Sequence, residues 1–329
     1  MERVGIDMKK YIVVIFILVT SLILIGCRNK IELLDNYNEE TFGYIDINSD
    51  EVKILQLTDL HLTYGFDYLD RQTYHLITNL INSENPDIII VTGDLFMSII
   101  GISLLENFIN FMEEFKTPWT FIFGNHEIDF NHNVESIVSA IYSIDTKYLY
   151  FHHGPKLSND HSHGYSNFKL KITNNNQPIL NLYLFDSKAN RKDGVKDKNF
   201  PYDYLSEEQV NWYETSVSSD LVESLIFVHI PLMEFLEYDG PKGEQIWPQG
   251  KNTNLFSKIV DSGKSRAVFV GHDHLNNFSF YYQDILLAYG NVTGFNAYGT
   301  NEKGARVITY NYQTQELGSY LVLEGDLNE

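Results

Sequence analysis

Short runs of consecutive apolar and β-branched residues alternate along the chain with stretches in which apolar positions recur every three to four residues. Near-continuous apolar runs of roughly four to six residues are typical of strands that are buried on both faces. We therefore predict five buried strands, at Val52–Leu57, Asp87–Val91, Trp119–Phe123, Leu225–Val228 and Ala267–Val270.

Two of the intervening stretches have helical periodicity. Asp70–Ser83 and Ile102–Phe115 each place their apolar residues on one side, and each is followed by a proline, Pro86 and Pro118. Strands that alternate with helices predict an α/β fold. The last part of the chain, Phe278–Leu323, instead predicts short strands with glycine-rich turns. Those turns would use Gly290, Gly294, Gly299 and Gly304.

The N-terminal segment differs from the rest. Lys9 and Lys10 precede an apolar run, Tyr11–Ile25, which is shorter than the ~18 residues expected of a membrane-spanning helix. The sequence Leu-Ile-Gly-Cys that ends at Cys27 resembles the bacterial lipoprotein box. We therefore expect residues 1–26 to be a lipoprotein signal peptide, Cys27 the lipidated residue, 27–50 a tether with a first strand, and 51–329 one domain. An uncleaved membrane anchor and a core strand are the alternatives.

Composition excludes several classes of protein. A hydrophobic content of 43% is enough for a core, which argues against a disordered chain. The formal charge of −20 argues against a partner such as duplex nucleic acid, because phosphate binding needs clustered Lys and Arg. Cys27 is the single cysteine, so neither an intrachain disulfide nor a zinc site built from several thiolates is possible.

Potential metal ligands follow all five predicted strands. In α/β sheets, functional residues collect just beyond the carboxyl ends of the strands. Each group alone is typical of a turn or cap, but five together predict a metal centre of oxygen and imidazole ligands, suited to Mn, Fe, Zn, Co or Ni. The groups are Asp59 with His61, Asp94, Asn125 with His126 and Glu127, His229, and His272 with Asp273 and His274.

The order of these groups resembles the calcineurin-like metallophosphoesterases, whose pattern is D-x-H, G-D, G-N-H-E or G-N-H-D, a later H, and G-H-x-H. The similarity extends over roughly residues 50–312 and favours a branch close to the purple acid phosphatases. It implies a four-layer sandwich of two mixed β-sheets flanked by helices. The additional similar segments are Leu205–Tyr213, His229–Phe235, Val270–Phe278, Gly290–Gly299 and Gly304–Val307.

The resemblance implies two divalent metal ions bridged by Asp94. One ion would be held by Asp59, His61, Asp94 and His274, and the other by Asp94, Asn125, His229 and His272. Purple enzymes have a tyrosine three residues after the bridging aspartate, where this chain has Met97. Because His61 would supply the missing ligand, we expect a colourless site without tyrosinate–iron charge transfer.

The implied chemistry is hydrolysis of a phosphate ester. Two divalent ions would lower the pKa of a shared water towards ~7, and the resulting bridging hydroxide would attack phosphorus. His126 would protonate the leaving group or stabilise the transition state, with Asp59 as a residue that could orient it. Glu127 and Asp273 are candidates for contacts to the ligating imidazoles, or are solvated acidic residues.

Several alternatives stay open at this point. A phosphomonoester is slightly favoured as the small-molecule substrate, over phosphodiesters and pyrophosphates. A non-catalytic, surface-binding lipoprotein on the same scaffold is the alternative from another class. The protein would be exported and anchored to the membrane through lipid. The histidine-rich stretch 152–163 is an extra metal site or a turn, and Tyr238–Lys251 lines the substrate pocket or is a surface connection.

Overall fold

The structure is a computed structural model that describes residues 37–39, 42–158 and 162–328. The expected signal peptide and Cys27 lie outside these residues. Within them, no helix has the length and apolar character needed to cross a membrane.

Twelve strands form two mixed sheets in the described part of the chain. They are β1 (Tyr44–Ile47), β2 (Glu51–Leu57), β3 (Ile88–Thr92), β4 (Trp119–Ile122), β5 (Phe168–Asn174), β6 (Gln177–Phe185), β7 (Ser224–Val228), β8 (Ser265–Val270), β9 (Ser279–Tyr282), β10 (Ile285–Tyr289), β11 (Gly304–Asn311) and β12 (Glu316–Leu323). The seven-stranded sheet has the order β1-β5-β6-β7-β8-β10-β9, and the five-stranded sheet has the order β12-β11-β2-β3-β4.

Helices flank the sheets. The first begins at an N-cap, Asp67, whose side chain accepts hydrogen bonds from the backbone of Leu69 and Asp70. Another begins at a capping box made by Ser206 and Gln209. The helices are α1 (Tyr68–Glu84), α2 (Gly101–Glu113), α3 (Val134–Tyr142), α4 (Glu207–Ser218) and α5 (Leu255–Ser262), and short 3₁₀ segments occur at Asp129–Asn131, Met233–Glu237 and Glu324–Asn328.

The expected α/β fold with two mixed sheets is confirmed. The five predicted strands correspond to β2, β3, β4, β7 and β8, and the two predicted helices to α1 and α2, with ends that differ by one or two residues. The C-terminal strands are present as β9 to β12. Gly304, expected in a turn, is instead the first residue of β11.

Strands β5 and β6, which lie between the predicted strands β4 and β7, were not predicted. Strand β5 alternates apolar residues with Lys169 and Lys171, a pattern that indicates one solvated face. Both lysines are buried instead. Lys169 Nζ lies 2.9 Å from the Glu39 carboxylate and 3.0 Å from that of Asp220, so ion pairs replace its solvation.

Side chains of the five-stranded sheet reach across to the seven-stranded sheet. Gln56 Nε2 donates to the carbonyl of Val270 (3.0 Å), and the Arg306 guanidinium donates to the carbonyl of Asn277 (2.8 Å). Loops at the strand ends are joined as well, because Thr293 N donates to Thr58 O (3.0 Å). The two sheets therefore present the ends of β2, β3, β4, β7 and β8 to one shared site.

Candidate metal centre

The candidate ligands from all five strand ends lie together in this site. Their ligand atoms form two groups, each within 4.8 Å, and Asp94 belongs to both. The remaining candidate, Asn125, has its Oδ1 3.1 Å from His229 Nε2. The first group is Asp59, His61, Asp94 and His274, and the second is Asp94, His229 and His272. All of these side chains are buried.

In the first group, nitrogen and oxygen atoms converge on one point. His61 Nε2 lies 3.1 Å from His274 Nε2 and 3.5 Å from Asp94 Oδ2. His274 Nε2 lies 3.3 Å from Asp59 Oδ1. Two ring nitrogens directed at each other between two carboxylates fit a shared cation better than a direct imidazole pair.

The second group has the same chemistry. His229 Nε2 lies 3.2 Å from Asp94 Oδ2. The other ring nitrogen of His229 is 2.7 Å from the carbonyl of Thr92, which can only accept, so Nδ1 must carry the proton. With Nδ1 engaged in this way, Nε2 is the nitrogen that can bind a metal, and it faces Asp94 and Asn125.

Four candidate ligands have an unfavourable backbone conformation. Asp59, His61, Asp94 and His272 have φ of 53°, 46°, 54° and 79°, in the left-handed region that residues with a Cβ rarely adopt. Such strain costs of order 1–3 kcal/mol per residue and persists only where the surroundings enforce it. Here His61 N donates to Asp94 O (3.0 Å), which joins two of these loops.

Two glycines allow the loops to approach so closely. A Cβ on Gly124 would lie 2.3 Å from Asp94 Oδ1. A Cβ on Gly93 would lie 2.6 Å from His229 Nδ1, and Gly93 also has a φ of 89°. Any larger residue at either position would displace the central carboxylate or an imidazole.

The charge states of most candidate ligands suit metal binding. Burial raises the pKa of Asp94, but its pKa is nevertheless well below the ordinary value because of His229 nearby. Burial lowers the pKa of His61 to about 4 and that of His272 to about 3. An ionised carboxylate and neutral imidazoles are the forms that bind metal. His229 differs, because Asp94 outweighs burial and raises its pKa to about 10.

His126 lies at the edge of this buried cluster and its side chain is 32% exposed. Its Nε2 is 4.0 Å from Asp94 Oδ2, while its Nδ1 is 2.6 Å from Asp129 Oδ2. Burial alone would lower the pKa of His126, but Asp94 and Asp129 outweigh it and raise the pKa. Asp129, rather than the expected Asp59, is therefore the carboxylate that orients His126. The i, i+3 spacing of the two residues was the available signal.

Glu127 and Asp273 were candidates for contacts with ligating imidazoles, but their hydrogen bonds go to other groups. Glu127 accepts hydrogen bonds from the backbone of Leu95 (2.6 Å) and Gly124 (2.7 Å). Asp273 Oδ2 accepts from Tyr289 Oη (2.6 Å) and from the backbone of Trp247 (3.1 Å). Both side chains are buried, so each stabilises a ligand-bearing loop rather than a ligand ring.

Two aromatic residues that the sequence did not single out cover ligand rings. Tyr298 stacks on His274 with ring centroids 4.0 Å apart, and Tyr202 lies edge-on to His272 at 4.3 Å. Each is more than twenty residues from the ring that it covers, so no local pattern could have identified it.

The two remaining sequence features have structural roles. In the histidine-rich stretch, His152 stacks on His153 at 4.4 Å, and His163 Nδ1 is 2.8 Å from Ser158 Oγ. Neither the histidine-rich stretch nor the loop Tyr238–Lys251 adds a metal-binding group among residues 37–39, 42–158 and 162–328. In the loop Tyr238–Lys251, Glu244 accepts from the backbone of Leu275 (2.7 Å), so this loop packs against the His272–His274 segment.

A cavity of about 470 Å³ adjoins the loop that carries Asn125. Its lining has mixed charge, with Lys188, Lys192 and Lys251 opposed by carboxylates such as Asp186 and Asp203. Lys188 and Lys251 both lie 5.5 Å from the centre of the Tyr204 ring. The cavity therefore has both cationic and anionic sides.

The chain is similar to known proteins in sequence and in fold. The chain is 26% identical over 316 residues to "Probable inactive purple acid phosphatase 29" of Arabidopsis thaliana, covering 82% of this chain and 79% of that protein. It is 28% identical over 293 residues to "Probable inactive purple acid phosphatase 14" of the same plant, covering 75% and 71%. A dimetal phosphatase from Danio rerio has the same fold, with a TM-score of 0.53, 12% identity and coverage of 83% and 98%.

The family profile described as calcineurin-like phosphoesterase matches residues 52–276, which include every candidate ligand. The chain therefore belongs to the calcineurin-like phosphoesterase family.

Proposed function

We propose that this protein is a metal-dependent phosphoester hydrolase that acts on phosphomonoesters. One observation carries the proposal: the candidate ligands form two buried groups that share the Asp94 carboxylate. A carboxylate has two oxygens and can serve two cations ~3.5–4 Å apart, which is the arrangement of two-metal hydrolases.

The residues of the site would have separate roles in metal binding and proton transfer. Asp59, His61 and His274 would hold one ion, Asn125, His229 and His272 the other, with Asp94 between them. Two ions there would neutralise phosphoryl charge and activate water near neutral pH. His126, held through Nδ1 by Asp129, directs Nε2 towards the centre, where it would donate a proton to the leaving oxygen.

The choice of monoester rests on relatives whose names include purple acid phosphatase. Phosphodiesters and pyrophosphates are the competing substrates. A second candidate function is metal binding without catalysis, because those same names include the word inactive. The intact ligand set and the oriented His126 favour the hydrolase.

The test compares p-nitrophenyl phosphate with its bis-ester, using the full-length protein loaded with Mn²⁺. We expect two bound metal equivalents and faster turnover of the monoester. Faster turnover of the bis-ester would identify a diesterase. Two bound metals with no turnover of either ester, or of a panel of natural phosphoesters, would favour the non-catalytic function. A matched control is Leu221→Ser, which changes a 96% exposed side chain three residues after α4 and should change neither result.

We also propose that the protein is exported and anchored through lipid on Cys27. The basic residues, the short apolar run and the Leu-Ile-Gly-Cys sequence support this proposal. Cells that express the protein would be labelled with a radioactive fatty acid, and Cys27→Ser should abolish both label and membrane association. Equal labelling of the variant would contradict the proposal.

A further inference from the structure

Three loops that carry site residues also expose large apolar side chains. Tyr64 and Phe66 follow His61 and are 58% and 73% exposed. Ile99 and Ile100 follow Asp94 and are 73% and 42% exposed, and Phe130 follows His126 and is 57% exposed. These five residues, here named the apolar rim, are a third of the fifteen exposed large apolar residues in the described chain.

The three loops that carry the apolar rim are adjacent, because hydrogen bonds join each to the next. Met97 N donates to Leu62 O (3.0 Å), which joins the first loop to the second. His132 Nε2 is 2.7 Å from Ser98 O, which joins the second loop to the third. Within the first loop, the Tyr64 and Phe66 rings lie 6.1 Å apart.

The loops that carry the apolar rim contain few charged residues. Residues 62–66, 95–100 and 128–131 contain one charged residue, Asp129, and no Lys or Arg. Asp129 is engaged with His126. This region therefore offers no cation for a second phosphate, unlike the cavity that contains Lys188 and Lys251.

Phe130 adds an independent observation. It has a φ of 57°, a left-handed conformation that residues with a Cβ rarely adopt, and its side chain is exposed. Neither backbone preference nor burial of the ring explains a left-handed conformation at an exposed phenylalanine. Residues with such unfavourable backbone conformations are concentrated at functional sites. Phe130 is four residues after His126, so the two Cα atoms are at most ~14 Å apart.

We infer that the apolar rim binds the hydrocarbon part of the leaving group, so that the substrates are phosphomonoesters of apolar alcohols. This inference rests on the proposed function, in which His126 protonates the leaving oxygen. A group that leaves beside His126 would lie near the loop that carries Phe130, which is hydrogen-bonded to the loop that carries Ile99. Apolar contact there would stabilise a long alkyl chain and would not stabilise a short or charged alcohol.

The test uses n-alkyl phosphates from ethyl to decyl, below their micelle concentrations, with the Mn²⁺-loaded full-length protein. Full burial of a methylene would raise kcat/KM roughly fourfold, and on an open rim we expect about twofold for each methylene. Phe66→Ser and Ile99→Ser, in two different loops, should each reduce the ratio of decyl to ethyl kcat/KM at least about threefold. Leu221→Ser, exposed and outside the rim, should leave the ratio unchanged.

Binding of non-hydrolysable n-alkyl phosphonates, measured by calorimetry, decides the inference separately from turnover. If no ester is hydrolysed, the proposed function fails, and a rise in phosphonate affinity with chain length that Phe66→Ser removes would still support the rim. Equal affinity for ethyl and decyl phosphonates would overturn the inference even if p-nitrophenyl phosphate is hydrolysed. Rim-dependent binding to phosphatidylcholine vesicles without any chain-length effect would assign the rim to a membrane, and would also overturn it.

Discussion

The two sheets contribute unequal halves to the candidate metal centre. The five-stranded sheet supplies Asp59, His61, Asp94, Asn125 and His126. Their loops are joined by backbone–backbone hydrogen bonds, such as that from His61 N to Asp94 O, and by two backbone N–H groups that donate to the Glu127 side chain. The seven-stranded sheet supplies His229, His272 and His274. Its last loop is held by side chains, through Asp273, Tyr289 and Tyr298.

The exposed surface differs in the same way. Loops of the five-stranded half carry the apolar rim and the partly exposed His126, whereas Tyr298 and Tyr202 cover rings of the seven-stranded half. The difference indicates a division of tasks. One half would receive substrate and move a proton, and the other would hold imidazoles in place.

The largest expected effect comes from the residue that the halves share. Asp94→Ala removes the carboxylate common to both groups, so both metal equivalents should be lost, with turnover reduced by at least about 10²–10³-fold. Metal analysis of the purified variant measures this directly. Asp193→Ala, which removes a carboxylate outside both groups, is the control. Two full equivalents in Asp94→Ala would contradict the bridging role.

The next largest expected effect comes from His126, which lies in the five-stranded half. His126→Ala should retain both metals and lose about 10²–10⁴-fold in turnover, because the variant lacks the proposed general acid. Asp129→Asn should lose less, since the ring stays and only its orientation weakens. The two variants are compared by kcat and its pH profile, with metal content measured alongside. Unchanged kcat in His126→Ala would remove this residue from the mechanism.

The ligands of both halves were predictable from sequence, but the residues that support the seven-stranded half were not. Asp59, His61 and Asp94 follow strands that are plain apolar runs, and the loops are short, so the spacing of residues carried the information. The supports of the other half come from far along the chain, because Tyr298 and Tyr289 meet His274 and Asp273 only after folding. Strand β5 was missed because its buried lysines are neutralised by Glu39 and Asp220, which only the folded chain brings near.

A pH measurement probes a buried acid of the seven-stranded half. Asp186 follows β6, and burial raises its pKa from 3.8 to about 6. Between these values the folded protein holds a proton that the unfolded chain has lost, so stability falls as pH rises through this range. Asp186→Asn removes the titrating carboxyl group and with it this dependence of stability on pH. We therefore compare the free energy of unfolding of the wild type with that of the variant. The difference, wild type minus variant, should fall by about 2–3 kcal/mol from pH 4 to pH 7. A constant difference across this range would contradict the raised pKa.

The smallest effect compares the carboxylates that stabilise each half. Glu127 accepts a backbone hydrogen bond on each oxygen, so Glu127→Gln would leave one buried N–H without an acceptor, at a cost of about 1–3 kcal/mol. Asp273 accepts both of its bonds on one oxygen, and Asp273→Asn can keep that oxygen in place. We therefore expect Asp273→Asn to cost less in chemical unfolding of the metal-free proteins. An equal or greater loss in Asp273→Asn would show that the two halves do not differ in how their loops are held.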